Sequence, residues 1–185
     1  MLNIKSDTMK HLVLVGMVWL CSLVSVVAQS VPQVIPALQQ WQPAKGKLVL
    51  PESGKVIVSS DEEGILKQSA EILVQDLKEM FGWNYRVVGK KEKEAVYLTL
   101  SKPDKTLGDE GYRMDIRNGV TIEAPTSKGV FWGTRTLLQM IHNQPEGLMK
   151  GLATDFPLYP NRGFMIDVAR KFFTMDYLRD YVKIL

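Results

Sequence analysis

Between residues 60 and 82 the apolar positions recur three and four apart. Ile65, Leu66, Ser69, Ile72, Leu73, Leu77, Met80 and Phe81 fall on one face at helical spacing, which predicts an amphipathic helix that needs a sheet to cover. Ser60 followed by Glu63 is a capping box that opens this helix, and Gly82 can close it. Upstream, the runs KLVLP and KVIVSS, parted by a turn at Glu52–Gly54, predict two strands. Downstream, NYRVVG and AVYLTLS predict two more. In GYRMDIRNGVTIEAP the period changes to two. Tyr112, Met114 and Ile116 alternate with Arg113, Asp115 and Arg117, and Val120, Ile122 and Ala124 return on the apolar face. Asn118-Gly119 between them is the signature of a type I′ hairpin turn.

A second helix is predicted from about residue 127 to residue 142, with Val130, Phe131, Thr134, Leu137, Leu138 and Ile141 as its buried stripe. Gly129 and Gly133 lie four apart on it. They either let the helix approach a neighbour closely or are simply tolerated near a helix start, and the pattern leaves both readings open. Residues 45–150 are therefore expected to form an α+β domain, a largely antiparallel sheet with two helices on one face. Residues 29–44, which carry Pro32, Pro36 and Pro43, read as an extended entry segment, and residues 151–161 as a connector. His142, near the end of the second helix, suits the negative end of the helix dipole. Trp41, Trp83 and Trp132 could stack on sugar rings or pack at element edges.

The first 28 residues follow another rule. A short basic start, an unbroken apolar run and a small-residue end in MKHLVLVGMVWLCSLVSVVAQS have the layout of a secretory signal peptide. Val26 and Ala28 fit the positions that precede cleavage, so cleavage is expected after Ala28. Met9 gives a more usual basic region than Met1, and either could start translation. The apolar run is at the short limit for a bilayer span and lacks a basic stop-transfer flank. The expected location is thus exported, periplasmic or extracellular, with no stable membrane span after cleavage. Cys21 is the only cysteine and leaves with this segment. The mature chain then offers no disulfide, no thiol nucleophile and no thiolate metal site, and His142 alone cannot supply a histidine cluster. No metal or cofactor is expected. A net charge of +3, spread without a basic block, argues against a nucleic-acid partner.

The end of the chain, NRGFMIDVARKFFT followed by MDYLRDYVKIL, reads as one β-α unit. GFMIDV has the near-continuous apolar character of a strand buried on both faces. Thr174 can cap the helix behind it, where Tyr177, Leu178 and Tyr181 line up. One such unit cannot bury a parallel strand, and a closed barrel needs eight over about 250 residues. Residues 162–185 are therefore expected to be the truncated start of a (β/α)8 barrel.

YPNRGFMIDVARKFFTMDYLRDYVKIL resembles the first strand and helix of the catalytic barrel of family 20 glycoside hydrolases, the β-N-acetylhexosaminidases. GVFWGTRTLLQMI is similar to the helix that closes their N-terminal α+β domain. The resemblance implies an exo-acting hydrolase that removes terminal β-linked N-acetylglucosamine or N-acetylgalactosamine from glycans, its partner molecules. In that family the substrate's own acetamido oxygen attacks the anomeric carbon, a Glu acts as general acid and an adjacent Asp orients the acetamido group. The resemblance puts that pair beyond Leu185, so no catalytic residue is assigned and the 185-residue chain is expected to be inactive. By this resemblance Arg162 corresponds to the arginine that holds hydroxyls of the terminal sugar, a task suited to a guanidinium with several fixed donors; the residues alone equally allow a structural arginine paired to a barrel carboxylate. Asp167 and Arg170 read as a structural pair anchoring the loop after the strand. Lys171 departs from the histidine found there in many members. The alternative is a freestanding secreted carbohydrate-binding or interaction module without catalysis.

Overall fold

The computed structural model describes residues 31–58, 63–89 and 95–184. Among these, seven strands form one sheet: β1 (Gln40–Leu48), β2 (Ser53–Val58), β3 (Asn84–Val88), β4 (Val96–Leu100), β5 (Tyr112–Ile116), β6 (Val120–Ala124) and β7 (Leu148–Asp155). Three helices accompany them: α1 (Glu63–Phe81), α2 (Ser127–Asn143) and α3 (Met175–Ile184). The expected signal peptide and the Ser60 end of the expected capping box lie outside the described residues.

The sheet order is β1-β7-β5-β6-β4-β2-β3. Pairs β1–β7, β7–β5 and β5–β6 are antiparallel, whereas β6–β4, β4–β2 and β2–β3 are parallel. This corrects the expected antiparallel-rich sheet to a mixed one. The reason is the crossover: α1 carries the chain from β2 back to the starting edge, so β3 must run parallel to β2.

Helix α1 packs on β2, β3 and β4, α2 packs on β4, β5 and β6, and the two helices touch each other. One continuous core lies beneath them, including Val56, Leu66, Leu73, Leu77, Leu98, Met114, Ile122, Leu137 and Met140. The buried stripe of α1 is narrower than the periodicity predicts. Leu66, Ser69, Ala70, Leu73 and Leu77 are buried, but Ile65 and Met80 stay more than half exposed at 57% and 54%. Helix α1 ends at Gly82, whose φ of +72° and N–H bond to the Lys78 carbonyl make a left-handed cap.

The two glycines of α2 are there for close approach. A Cβ on Gly129 would stand 2.3 Å from the Gly111 carbonyl oxygen, and one on Gly133 would stand 2.5 Å from Ile122 Cγ2. The helix therefore rests almost directly on β5 and β6. The hairpin between those strands also differs from expectation. Ile116 pairs with Val120, leaving Arg117, Asn118 and Gly119 as a three-residue turn in which Gly119 is not at positive φ. Type I′ geometry is thus absent. Gly119 instead admits the Ala95 carbonyl, 2.8 Å from where its Cβ would be.

Three expectations at the chain's ends are corrected. Residues 40–44 belong to β1, which tolerates Pro43 because an edge strand bonds on one side only. The first five residues of the expected 151–161 connector belong to β7, which fills the slot between β1 and β5. Residues 162–168 form no strand, and Phe164, Met165 and Val168 are exposed at 62%, 88% and 55%. A doubly buried parallel strand needs hydrogen-bonded neighbours on both sides, and the described residues supply none there. Of the expected β-α unit only the helix, α3, is present among the described residues; Thr174 caps it by accepting from the Tyr177 N–H at 3.2 Å.

The space around the helix glycines predicts opposite outcomes for two substitutions, one in α2 and one in α1. Gly129→Ala should lower unfolding free energy by about 1–2 kcal/mol, since overpacking against backbone outweighs the helix-propensity gain. Gly64→Ala, with nothing within 4 Å of its Cβ, should raise it by up to about 1 kcal/mol. Urea melts of the two variants check both signs.

Candidate functional site

The loop from residue 101 to residue 111 is held rigidly although it carries no regular element. Asp104 accepts from the Thr106 N–H at 2.8 Å and from Arg113 Nη2 at 2.6 Å. Its hydrogen bond to Arg113, followed by that from Thr106, holds this carboxyl below the usual range. Leu107 is buried beneath the loop, and its carbonyl accepts from the Gly111 N–H at 2.9 Å. At the far end Thr126, the N-cap of α2, donates to the Asp109 carbonyl and accepts from the Gly129 N–H. The loop is thereby bolted to both β5 and α2.

Glu110 projects from this rigid platform and receives Arg162. Arg162 Nη2 donates to Glu110 Oε2, and Nη1 donates to the Tyr159 carbonyl at 2.8 Å. Two of the five guanidinium N–H groups are so engaged. Glu110 also lines a groove of about 430 Å³ between α1 and α2, where Ile65, Ile72, Phe131 and Trp132 supply apolar walls. No sequence signal marks Glu110, one acidic residue among several in a polar loop.

Asp167 and Arg170 form the expected pair at 3.2 Å, and Asp167 also accepts from the Ala169 and Arg170 N–H groups. Arg162 is not brought to them; its partners are on the α+β domain and the connector. Lys171 lies 5.8 Å from the Phe173 ring. Of the tryptophans, Trp41 is half-buried against Gly151, Trp83 stacks on Tyr85 with centroids 5.9 Å apart, and Trp132 is 41% exposed, edge-on to Phe131. His142 is exposed at the end of α2, 6.5 Å from the Phe81 ring.

Two buried phenols tie the sheet to its surroundings. Tyr112 meets Thr136 at 2.6 Å and donates to Asp155 at 3.1 Å, joining α2, β5 and β7. Burial, and then the Asp155 charge, push its ionisation up. Tyr85 donates to the Pro51 carbonyl at 2.8 Å, and burial pushes its pKa up to about 12.

Residues 31–156 match the model of glycosyl hydrolase family 20, domain 2. This chain belongs to glycosyl hydrolase family 20. Two curated relatives extend the match. A lacto-N-biosidase of Bifidobacterium bifidum is 29% identical over 150 residues, and a beta-hexosaminidase of Porphyromonas gingivalis 25% over 164. These alignments take in 80% and 82% of this chain but only 13% and 21% of the relatives. Among solved structures, the family 20 β-N-acetylhexosaminidase of Streptomyces coelicolor A3(2) superposes with a TM-score of 0.71 at 28% identity, covering 84% of this chain and 33% of that one. A mutant Streptomyces plicatus beta-hexosaminidase bound to its product, N-acetylglucosamine, gives the same score and identity over 86% and 33%. The family 20 domain match stops at residue 156, so Arg162, Asp167 and Arg170 lie beyond it.

Tyr85 sets an alkaline limit on this family 20 domain. The folded state keeps the phenol protonated to about 12, while the unfolded chain ionises it near its ordinary value of about 10. Its contribution is therefore complete below pH ~10 and is lost as pH rises through ~12. Tyr85→Phe cannot ionise, so the variant should gain on wild type between those values. Urea midpoints at both ends of the window measure this, and a pH-independent difference would contradict it.

Proposed function

We propose that the protein to which this chain belongs is an exported β-N-acetylhexosaminidase. It removes terminal β-linked N-acetylglucosamine or N-acetylgalactosamine from glycans by substrate-assisted, retaining hydrolysis. The observation that carries this reading is the family 20 domain match over residues 31–156, joined to the 0.71 superposition on a solved β-N-acetylhexosaminidase. Because the chain spans about a third of that enzyme, the general acid and the Asp that orients the acetamido group belong to the rest of the protein. The part present here is the leading α+β domain, and residues 162–184 open the catalytic barrel. The exposed apolar side chains of that segment are the surface that barrel neighbours would cover.

In this reading Arg162 holds hydroxyls of the terminal sugar. A guanidinium can span two adjacent hydroxyls and fix the ring for attack at the anomeric carbon. Its present bonds to Glu110 and Tyr159 are half-exposed and so weak, worth less than about 1 kcal/mol, and sugar or barrel groups can exchange for them.

Two measurements test the proposal. In the complete gene product, Arg162→Ala should lower kcat/KM on a chromogenic N-acetyl-β-glucosaminide by about 100-fold or more. Arg170→Ala should stay within a few-fold, and the 185-residue chain alone should show no turnover. Equal effects of the two substitutions, or hydrolysis by the 185-residue chain, would overturn the assignment. Export is checked separately by sequencing the mature N-terminus, which should begin at Gln29; a retained leader refutes it.

A further inference from the structure

Arg162 lies beyond the family 20 domain match, yet its guanidinium is held by that domain. Nη2 donates to Glu110 Oε2, and Nη1 donates to the Tyr159 carbonyl. These two nitrogens form the outer edge of the guanidinium, the edge that can span a pair of hydroxyls. A carboxylate is a stronger acceptor than a hydroxyl oxygen. The pair with Glu110 therefore has to open before a sugar can take that edge, and the two compete for one set of donors.

The two partners are anchored unequally. Glu110 sits in the loop that bonds at Asp104, Leu107 and Asp109 fix to β5 and α2. Arg162 stands within residues 156–174, which form neither helix nor strand. Opening the pair therefore moves the arginine rather than the glutamate. Nor does it strand the glutamate in an apolar place. The Glu110 side chain is 27% exposed, and it lines the α1–α2 groove together with Ser127 and Lys128 from the first turn of α2. A cation and the positive end of a helix remain beside the carboxylate once Arg162 leaves. Both the closed and the open arrangement are thus accessible.

We propose that Glu110 is an inhibitory partner of Arg162, through which the α+β domain lowers the affinity of the site for its sugar. This rests on the proposed role of Arg162 in holding the terminal N-acetylhexosamine. With the pair closed, the guanidinium edge faces Glu110; with it open, the same edge takes hydroxyls. The observed affinity is then the intrinsic one scaled by the fraction of molecules whose pair is open. An ion pair this exposed limits the effect to about fivefold. The α+β domain so acquires a part in substrate binding without any of its groups touching the sugar.

The test is made on the complete gene product with a chromogenic N-acetyl-β-glucosaminide. Glu110→Ala should lower KM about two- to fivefold and leave kcat unchanged, because only binding is relieved. Raising the salt to about 0.5 M screens the pair, so the wild-type KM should fall towards that of the variant, whose own KM stays constant. In an Arg162→Ala background, Glu110→Ala should have no effect on kcat/KM, since the partner it acts through is gone. A merely structural Glu110 would instead lower kcat or the melting temperature and give a difference that ignores salt. An unchanged or raised KM, or an equal effect of Glu110→Ala with and without Arg162, would each overturn the proposal. An active enzyme whose KM ignores Glu110 refutes the inhibitory pair alone. Absence of hydrolysis by both the wild-type and the Glu110→Ala protein refutes the hexosaminidase reading, and this inference with it.

Discussion

The distance at which α2 can settle on β5 and β6 governs the rest of this domain. With Gly129 and Gly133 offering no side chain, the helix backbone reaches the Gly111 carbonyl and the Ile122 side chain. At that distance Thr136 meets the Tyr112 hydroxyl, and Tyr112 reaches on to Asp155. Helix, central strand and β7 are then joined by one buried phenol, at a site where an unpaired hydroxyl would cost about 1–3 kcal/mol. Interiors of native density transmit such constraints, since no void is left to absorb a shift.

The same approach places the loop that carries Glu110. Because Thr126 caps α2 and also bonds the Asp109 carbonyl, the helix start and the loop before β5 move as one body. Glu110 is held on that body, and through it Arg162 is brought against the α+β domain. The Arg135–Asp76 pair at 2.5 Å, with the guanidinium 4.7 Å from the Phe131 ring, ties α1 to α2. The outer surface of the helix pair is thus ordered as well as its core. Residues 31–156, which contain both helices, are also the span that matches the family 20 domain.

Much of the architecture was legible because it rests on local rules. The period-two alternation of Tyr112, Met114 and Ile116 against Arg113 and Asp115 marked β5, and the stripe from Val130 to Ile141 marked α2. Thr174 and Gly82 announced helix ends by chemistry that acts within one turn. Errors fell where partners are distant in sequence. Pro43 hid a strand that only an edge position permits, and Gly151 hid β7, whose place depends on both β1 and β5. Asn118-Gly119 suggested a local turn rule, yet Gly119 answers to the Ala95 carbonyl. Glu110 carried no pattern at all, since its part depends on what surrounds it.

The sequence by itself determined the two long helices, the inner strands from β2 to β6, the apolar face of each, and, through the run around Arg162, the family resemblance. These follow from side-chain periodicity and short-range capping, which need no distant partner. Only the tertiary structure decided the mixed strand order, the slot filled by β7 and the close seat of α2. It also decided that residues 162–168 form no strand while Arg162 turns to Glu110. Hydrogen-bond partners across a sheet and contacts between remote corners are properties of the folded chain, because each depends on where the rest of it has already gone.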